Sequence, residues 1–245
     1  CREYPDRLPW FIASLPMNNT EAAIAEVDRV IDEHGAVGFQ IFTNVNNRPL
    51  DNPEFRDIFA KIAERGKTIW LHPTRPPTHP DYLTEDRSFY EIFWGFGWAY
   101  ETSAAMARIV CSGMFDEIPN LKIIAHHWGA YAPHAEGRMT PHWEARNADI
   151  GEGKTFAGKL KKPLVEYFKK DFYGDTAMFG AQAASQAGFD FFGADHSFFA
   201  TDAPYDLEGG GYNIRETIKV IENLRCTDAD RKMMYEENTR KMLGL

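Results

Sequence analysis

Thr68-Ile-Trp-Leu-His72-Pro73 is a short apolar run that ends on a residue able to bind a metal or move a proton. Two further runs have the same form, Lys122-Ile-Ile-Ala-His126-His127 and Phe198-Phe-Ala-Thr-Asp202-Ala-Pro204. Runs of this kind are typical of strands buried on both faces of a parallel sheet. In a (β/α) barrel the carboxyl ends of the strands converge on one face. The pattern therefore predicts that the three polar end residues share one cavity.

The composition is that of one folded, acidic domain. The chain has 245 residues, of which 44% are hydrophobic, and this is enough for one large core. We predict a single domain over residues 1–245. The net charge of −9, without a basic stripe, argues against nucleic acid as a partner. No apolar run approaches the roughly 18 residues of a membrane helix, so a soluble protein without a membrane partner is expected.

The cysteines suggest a reducing compartment. Cys1, Cys111 and Cys226 are odd in number and widely spaced. They form neither a zinc-type pair nor a disulfide framework. We therefore predict a cytoplasmic location.

Strand and helix signals alternate along the chain. Strands are predicted at residues 10–14, 37–43, 68–71, 121–125 and 172–175, and immediately before Asp202. Helices are predicted at 21–34, 53–65, 87–115 with breaks at Gly95 and Gly97, 132–146, 181–187, 214–223 and 228–243, with a looser piece at 151–162. This order, without a dinucleotide-type glycine turn or a P-loop, predicts an α/β fold of the (β/α)8 TIM-barrel type. Because such a barrel has eight strands and the chain opens on Cys1, the first two βα units are expected to be absent.

Each candidate residue has a structural alternative. A neutral imidazole at His72 suits zinc or manganese, but a buried histidine bonded to a backbone carbonyl is equally compatible. Asp202 is able to ligate a cation, act as a base or cap the next turn. Strand alternation predicts that His126 faces the barrel interior and that His127 packs outward. Three such residues on three strand ends favour a function.

Seven longer motifs carry a family resemblance that runs nearly end to end. The chain resembles the amidohydrolase-related (amidohydrolase 2) family, which contains the aminocarboxymuconate-semialdehyde and gamma-resorcylate decarboxylases. The motifs are Gly38-Phe-Gln-Ile-Phe-Thr-Asn44, Trp70-Leu-His72-Pro73, Gly97-Trp-Ala-Tyr-Glu-Thr102, Pro119-Asn-Leu-Lys-Ile-Ile-Ala-His126-His127-Trp-Gly129, Gly137-Arg138-Met139, Thr201-Asp202-Ala-Pro204 and Tyr235-Glu-Glu-Asn238.

The resemblance implies a distorted TIM barrel of the metal-dependent hydrolase type that holds one divalent metal, zinc or manganese. It implies His72 and Asp202 as metal ligands and His126 as a neighbour that handles protons. Arg138 resembles an arginine that reaches a substrate carboxylate in a neighbouring subunit, which implies a homodimer or homotetramer; a surface role is the alternative. Asn44 and Trp98 are the other expected substrate-binding residues.

The family's other two ligands lie on its first strand, as a His-x-His or Glu-x-His pair. No such strand precedes Trp10 in this sequence. We therefore expect this chain by itself to bind metal poorly, because two ligands rarely hold a metal tightly.

The leading functional hypothesis is metal-dependent, non-oxidative decarboxylation of an aromatic or unsaturated carboxylic acid. An aromatic cluster at Trp94, Trp98 and Tyr100 supports an aromatic substrate, and His126 or Asp202 is the expected acid. The same residues also suit hydrolysis or hydration by a metal-bound water. A third hypothesis is a non-catalytic barrel that binds a small carboxylate or serves assembly.

Overall fold

The computed structural model describes residues 1–148 and 160–244. Most of the looser piece predicted at 151–162 lies outside the described residues. The chain divides into two compact units. The first contains Cys1–Ile123 and Gly158–Lys161, and the second contains Ile124–Ala157 and Lys162–Leu245.

The first unit is built on three parallel strands. Strand β1 (Ile12–Ser14) pairs with β2 (Gly38–Phe42), and β2 pairs with β5 (Thr68–His72). Phe42 lies opposite His72 in this register. A small antiparallel hairpin of β3 (Asn44–Val45) and β4 (Arg48–Pro49), absent from the prediction, follows β2. The parallel βα order predicted from the sequence is confirmed here.

Two amphipathic helices pack beside these strands. Helix α1 (Thr20–His34) begins at Asn19, whose side chain accepts the Ala22 N–H, and ends at Gly35, which has a left-handed φ of 73°. Helix α2 (Pro53–Glu64) begins with proline at its first turn. Their buried faces, together with the strands, form the core of the unit, which includes Val27, Phe39, Ile41, Phe55, Ile58, Phe59, Ile69 and Leu71.

The helix predicted at 87–115 is divided into three in the structure. It forms α3 (Ile92–Gly95), α4 (Gly97–Cys111) and α5 (Met114–Glu117). The breaks lie at Phe96 and at Ser112–Gly113, and the helical conformation begins only at Ile92. Gly97 has a local packing role, because a Cβ there would lie 2.5 Å from Cδ of Arg75.

Strand β6 (Lys122–Ala125) leads into the second unit, where it is followed by β7 (Phe172–Asp175) and β8 (Ser197–Phe198). Strands β7 and β8 are parallel, with Asp175 opposite Phe198. The helices of this unit are α6 (Pro141–Ala148), α7 (Leu164–Lys170), α8 (Gln182–Phe192), α9 (Gly211–Glu222), α10 (Asp228–Lys232) and α11 (Asn238–Leu243).

In the second unit, α7 was not predicted, α8 extends to Phe192 beyond the predicted end at 187, and two further helical segments differ from the prediction. Residues 132–146 form a 3-10 helix, Pro133–Arg138, and then α6. Residues 228–243 contain a π-helical turn, Met233–Glu237, between α10 and α11. The core of the unit includes Trp128, Tyr167, Phe168, Phe172 and Phe191. Within the described ranges, no helix has both the length and the apolar character needed to cross a membrane.

Candidate functional site

In the first unit, His72 lies at the carboxyl end of β5 between two aromatic rings. Its ring centroid is 5.7 Å from that of Phe42 and 5.8 Å from that of Trp98, both in edge-on geometry. Nδ1 of His72 lies 2.7 Å from the carbonyl oxygen of Pro73. Since a carbonyl only accepts, Nδ1 carries the proton and the ring lone pair is on Nε2. A backbone acceptor on one ring nitrogen is the usual support for a histidine that binds metal through the other.

Asn44 and Trp98 both support the chain that follows β5. Nδ2 of Asn44 donates to the Thr74 carbonyl at 3.0 Å, and its Oδ1 accepts the Asn47 N–H at 3.1 Å. Nε1 of Trp98 donates to the Arg75 carbonyl at 3.2 Å. The structure thus brings Trp98 to His72 and assigns Asn44 to hydrogen bonds within the loops.

In the second unit, the chain turns sharply after β6. His127, Trp128 and Ala130 have φ values of 57°, 44° and 57°, and Gly129 has 65°. Left-handed backbone is uncommon for non-glycine residues and gathers at functional sites. Because β6 ends at Ala125, strand alternation does not apply to the two histidines, and the argument that His127 packs outward does not hold. Their ring centroids lie 5.8 Å apart.

Trp128 anchors this turn in the core. Its indole is 1% exposed and its Nε1 donates to Oγ of Ser197 at 3.0 Å. Two glycines leave room for the ring, because a Cβ at Gly174 or at Gly188 would lie 2.5 Å from its atoms. The turn that follows His126 is therefore fixed by the close packing of Trp128 in the core.

Asp175, at the end of β7, contacts several polar groups of the turn. Its side chain is 1% exposed, and its Oδ2 lies 2.8 Å from Nδ1 of His126. Its Oδ1 accepts the N–H of His127 at 2.8 Å and that of Ala177 at 3.2 Å. A buried carboxylate needs such partners, because an unpaired charge in the interior is strongly unfavourable.

The electrostatics of this pair favour charge on both members. Burial is the largest influence on Asp175 and raises its pKa, but the charge and hydrogen bond of His126, with His127, lower the pKa to about 2. Burial likewise acts to lower the pKa of His126, while Asp175 and then Asp202 raise it, and the net pKa is raised. His126 is therefore suited to donate a proton near neutral pH.

Asp202 lies in the loop that follows β8. It is half-buried with a left-handed φ of 60°, a conformation that aspartate tolerates better than most residues. Its carbonyl accepts the Tyr205 N–H at 3.1 Å and Nδ2 of Asn213 at 3.4 Å. Burial first and then the charge of Asp175 raise the pKa of Asp202, against the opposing influence of His127 and His126. The structure thus places Asp202 within electrostatic range of His126.

Arg138 ends the 3-10 helix Pro133–Arg138 on the surface of the second unit. It forms no ion pair with any residue of the described ranges. In the first unit, Trp94 and Tyr100 are exposed, and Nε1 of Trp94 donates to Glu91.

The side chains of His72 and Asp202 are of the chemical type that binds a divalent cation. Imidazole and carboxylate bind zinc and manganese, and the tautomer of His72 directs a lone pair from Nε2. In number they fall short: over the described part of the chain, no group of three or more His, Cys, Asp or Glu side chains is arranged to hold a metal.

The sequence model of the amidohydrolase family matches residues 1–245, the whole chain. The chain belongs to the amidohydrolase 2 family. The chain is 31% identical over 253 residues to a gamma-resorcylate decarboxylase from a Polaromonas species, covering 98% of the chain and 72% of that relative. It is 35% identical to a 2-amino-3-carboxymuconate-6-semialdehyde decarboxylase from Dictyostelium discoideum, over 55% of the chain and 36% of that relative.

A solved structure shares the fold of this amidohydrolase. The dihydroxybenzoic acid decarboxylase from Polaromonas, crystallised with manganese and the inhibitor 2-nitroresorcinol, is 26% identical. The match has a TM-score of 0.75 and covers 99% of this chain and 72% of that one. The predicted family and its TIM-barrel-like α/β fold class are confirmed, and these relatives are enzymes that decarboxylate carboxylic acids.

Sequence reasoning missed Asp175. The residue ends the strand predicted at 172–175, and a polar residue at a strand end was the available signal. Its strand has a tyrosine and a glycine in place of a continuous apolar run, so it lacked the pattern that identified the other three.

Proposed function

We propose that this protein is a metal-dependent, non-oxidative decarboxylase of an aromatic or unsaturated carboxylic acid. The observation that carries the proposal is the buried pair of His126 and Asp175. Decarboxylation of such an acid needs a proton donor, and an imidazolium kept charged by a buried carboxylate is one. The curated relatives that match nearly the whole chain are decarboxylases, which supports the same reaction.

In this reaction, His126 donates a proton to the carbon that bears the carboxylate. The bond to the carboxylate then breaks, its electron pair restores the conjugation, and carbon dioxide leaves. His126 regains its proton from water. We assign the acid to His126 and not to Asp202, because a carboxylate that ligates a metal must be ionised.

His72 and Asp202 are the proposed metal ligands of the chain. A bound divalent ion would polarise the substrate carboxylate and its neighbouring oxygen as a Lewis acid. Manganese is favoured over zinc by the solved relative that holds it.

Substrate and assembly contacts are assigned by position. Trp98 is proposed to contact an aromatic acid, because its ring lies beside His72. Asn44 is proposed to bind substrate through the loop that it supports. Arg138, with its exposed guanidinium, is proposed to bind a substrate carboxylate in a second subunit of a homodimer or homotetramer. We also propose a cytoplasmic location, since the three cysteines are free.

The test is carbon dioxide release. The chain is incubated with Mn²⁺ or Zn²⁺ and a panel of aromatic acids that includes 2,6-dihydroxybenzoate, and a parallel panel of lactones is scored for hydrolysis. We expect release of carbon dioxide that is abolished in His126→Gln and retained in His134→Gln, the change of an exposed histidine. Lactone hydrolysis without carbon dioxide release would instead establish the hydrolase alternative. Binding of an acid without metal or turnover would establish a non-catalytic barrel.

A further inference from the structure

One carboxylate contacts both the ring of His126 and the backbone beside it. Oδ2 of Asp175 lies 2.8 Å from Nδ1 of His126. Oδ1 of the same side chain accepts the N–H of His127 at 2.8 Å. The backbone that carries the imidazole and the imidazole itself are thus attached to one buried group, which leaves the ring little freedom to rotate.

Asp175 itself is held from several sides. Its Oδ1 also accepts the Ala177 N–H at 3.2 Å, and β7 is paired with β8 at this position. His127 does not compete for Oδ2 through Nδ1, because that atom lies 2.6 Å from the Ala177 carbonyl. The two Nδ1 atoms therefore have different neighbours: the Asp175 carboxylate for His126 and the Ala177 carbonyl for His127.

We propose that Asp175 is a positioning residue that holds His126 in the Nδ1–H tautomer and so assigns proton transfer to Nε2. A carboxylate accepts hydrogen bonds and donates none, so Oδ2 at 2.8 Å from Nδ1 favours the proton on that nitrogen. The assignment of a reaction to Nε2 rests on the proposed function, whereas the tautomer rests on the geometry alone.

Asp175→Asn is a sharp test because it preserves shape and reverses the direction of one hydrogen bond. The amide oxygen still accepts the two backbone N–H groups, but the amide nitrogen then faces Nδ1 and donates to it. The neutral ring must move its proton to Nε2, as an aspartate-to-asparagine change does to the histidine of a serine-protease triad.

The experiment is NMR spectroscopy of the chain labelled with ¹³C and ¹⁵N at histidine. His126 is assigned by the signal lost in His126→Gln, and the spectrum is recorded at alkaline pH, where the ring is neutral. We expect the Nδ1–H tautomer in the natural chain and the Nε2–H tautomer in Asp175→Asn. The matched control is Asp195→Asn, which removes the exposed carboxylate 3.3 Å from Nδ1 of His196 and should leave the signals of His126 unchanged.

Two outcomes would overturn the proposal. One is an Nε2–H tautomer of His126 in the natural chain, an outcome that does not depend on the folding of Asp175→Asn. The other is an unchanged tautomer in a folded Asp175→Asn chain, whose fold is checked by circular dichroism. Turnover is measured separately: a tautomer that switches as expected in a chain without decarboxylase activity would support the positioning role and contradict the proposed function.

Discussion

The indole of Trp128 occupies the space beside Gly188, so that a Cβ added to this glycine would lie 2.5 Å from Cγ of the tryptophan. The contact joins helix α8 to the left-handed turn that carries His126. It shows that the position of the histidine depends on a glycine 62 residues further along the sequence.

Gly188→Ala should therefore destabilise the protein. Trp128 is fully buried, so its ring cannot move away without disturbing the core, and we expect a loss of about 1–3 kcal/mol in the free energy of unfolding. Chemical denaturation followed by tryptophan fluorescence measures this. Gly137→Ala is the control, because a Cβ there meets nothing within 4 Å, and its stability should match that of the natural chain. Equal stability of the two variants would contradict the packing argument.

The Asp175 carboxylate should contribute to stability in acid. A pKa lowered from 3.8 to about 2 on folding corresponds to a contribution of about 2 kcal/mol to the free energy of unfolding. Because the pKa is lower in the folded state, this contribution is fully present above the unfolded pKa and is lost as the pH falls through about 2.

This is checked by measuring the free energy of unfolding between about pH 6 and pH 2, a range that includes the unfolded pKa of 3.8 and the folded pKa of about 2. We expect the difference between the natural chain and Asp175→Asn to shrink below about pH 4. In Asp195→Asn, whose carboxylate is exposed, the difference should stay close to zero. A gap that widens below about pH 4 would show that Asp175 is not ionised in the folded chain.

Arg75 should stabilise the loop that follows β5. Its guanidinium pairs with Glu101 at 3.0 Å, the two side chains being 20% and 18% exposed, and it donates to the Pro80 carbonyl at 3.2 Å. Arg75→Met is expected to lower the free energy of unfolding by about 1–3 kcal/mol, because Glu101 loses its partner in a half-buried place.

The same change should alter the fluorescence of Trp98, whose Nε1 donates to the Arg75 carbonyl. Arg240→Met serves as the control: its pair with Glu236 is more than half exposed on both sides, and its loss should change stability by less than about 0.5 kcal/mol. Similar losses in both variants would contradict a special role for Arg75.

The chain should bind Mn²⁺ weakly. Two proposed ligands, His72 and Asp202, hold a divalent ion less tightly than a complete set of three or four. Titration calorimetry should show a low affinity that falls further in His72→Asn and in Asp202→Asn, and elemental analysis after gel filtration should find little metal. His142→Asn, which changes an exposed histidine, should bind as the natural chain does. One tightly held ion per chain would refute the expectation.

Much of the fold could be predicted because its signals are local. The strand predicted at 172–175 has the same two ends in the structure. The helix predicted at 21–34 begins one residue earlier in the structure, at Thr20. The break predicted at Gly95 and Gly97 lies at Phe96 in the structure, whereas the late start of the helix at Ile92 and the second break at Ser112–Gly113 were not predicted. The hairpin at Asn44–Pro49 was missed because its strands are only two residues long.

The sequence by itself determined the family, the parallel α/β class and the placement of His72, His126 and Asp202 after buried strands. These properties follow from apolar runs, turn residues and motifs, each of which is formed by residues close together in the sequence. Only the tertiary structure decided which partner each histidine has. His127 and Asp175 are 48 positions apart, and their bond forms because β7 ends beside a left-handed turn that no local propensity favours. The ring of His126 is oriented by this long-range contact, since a buried carboxylate accepts whichever donors the fold brings to it.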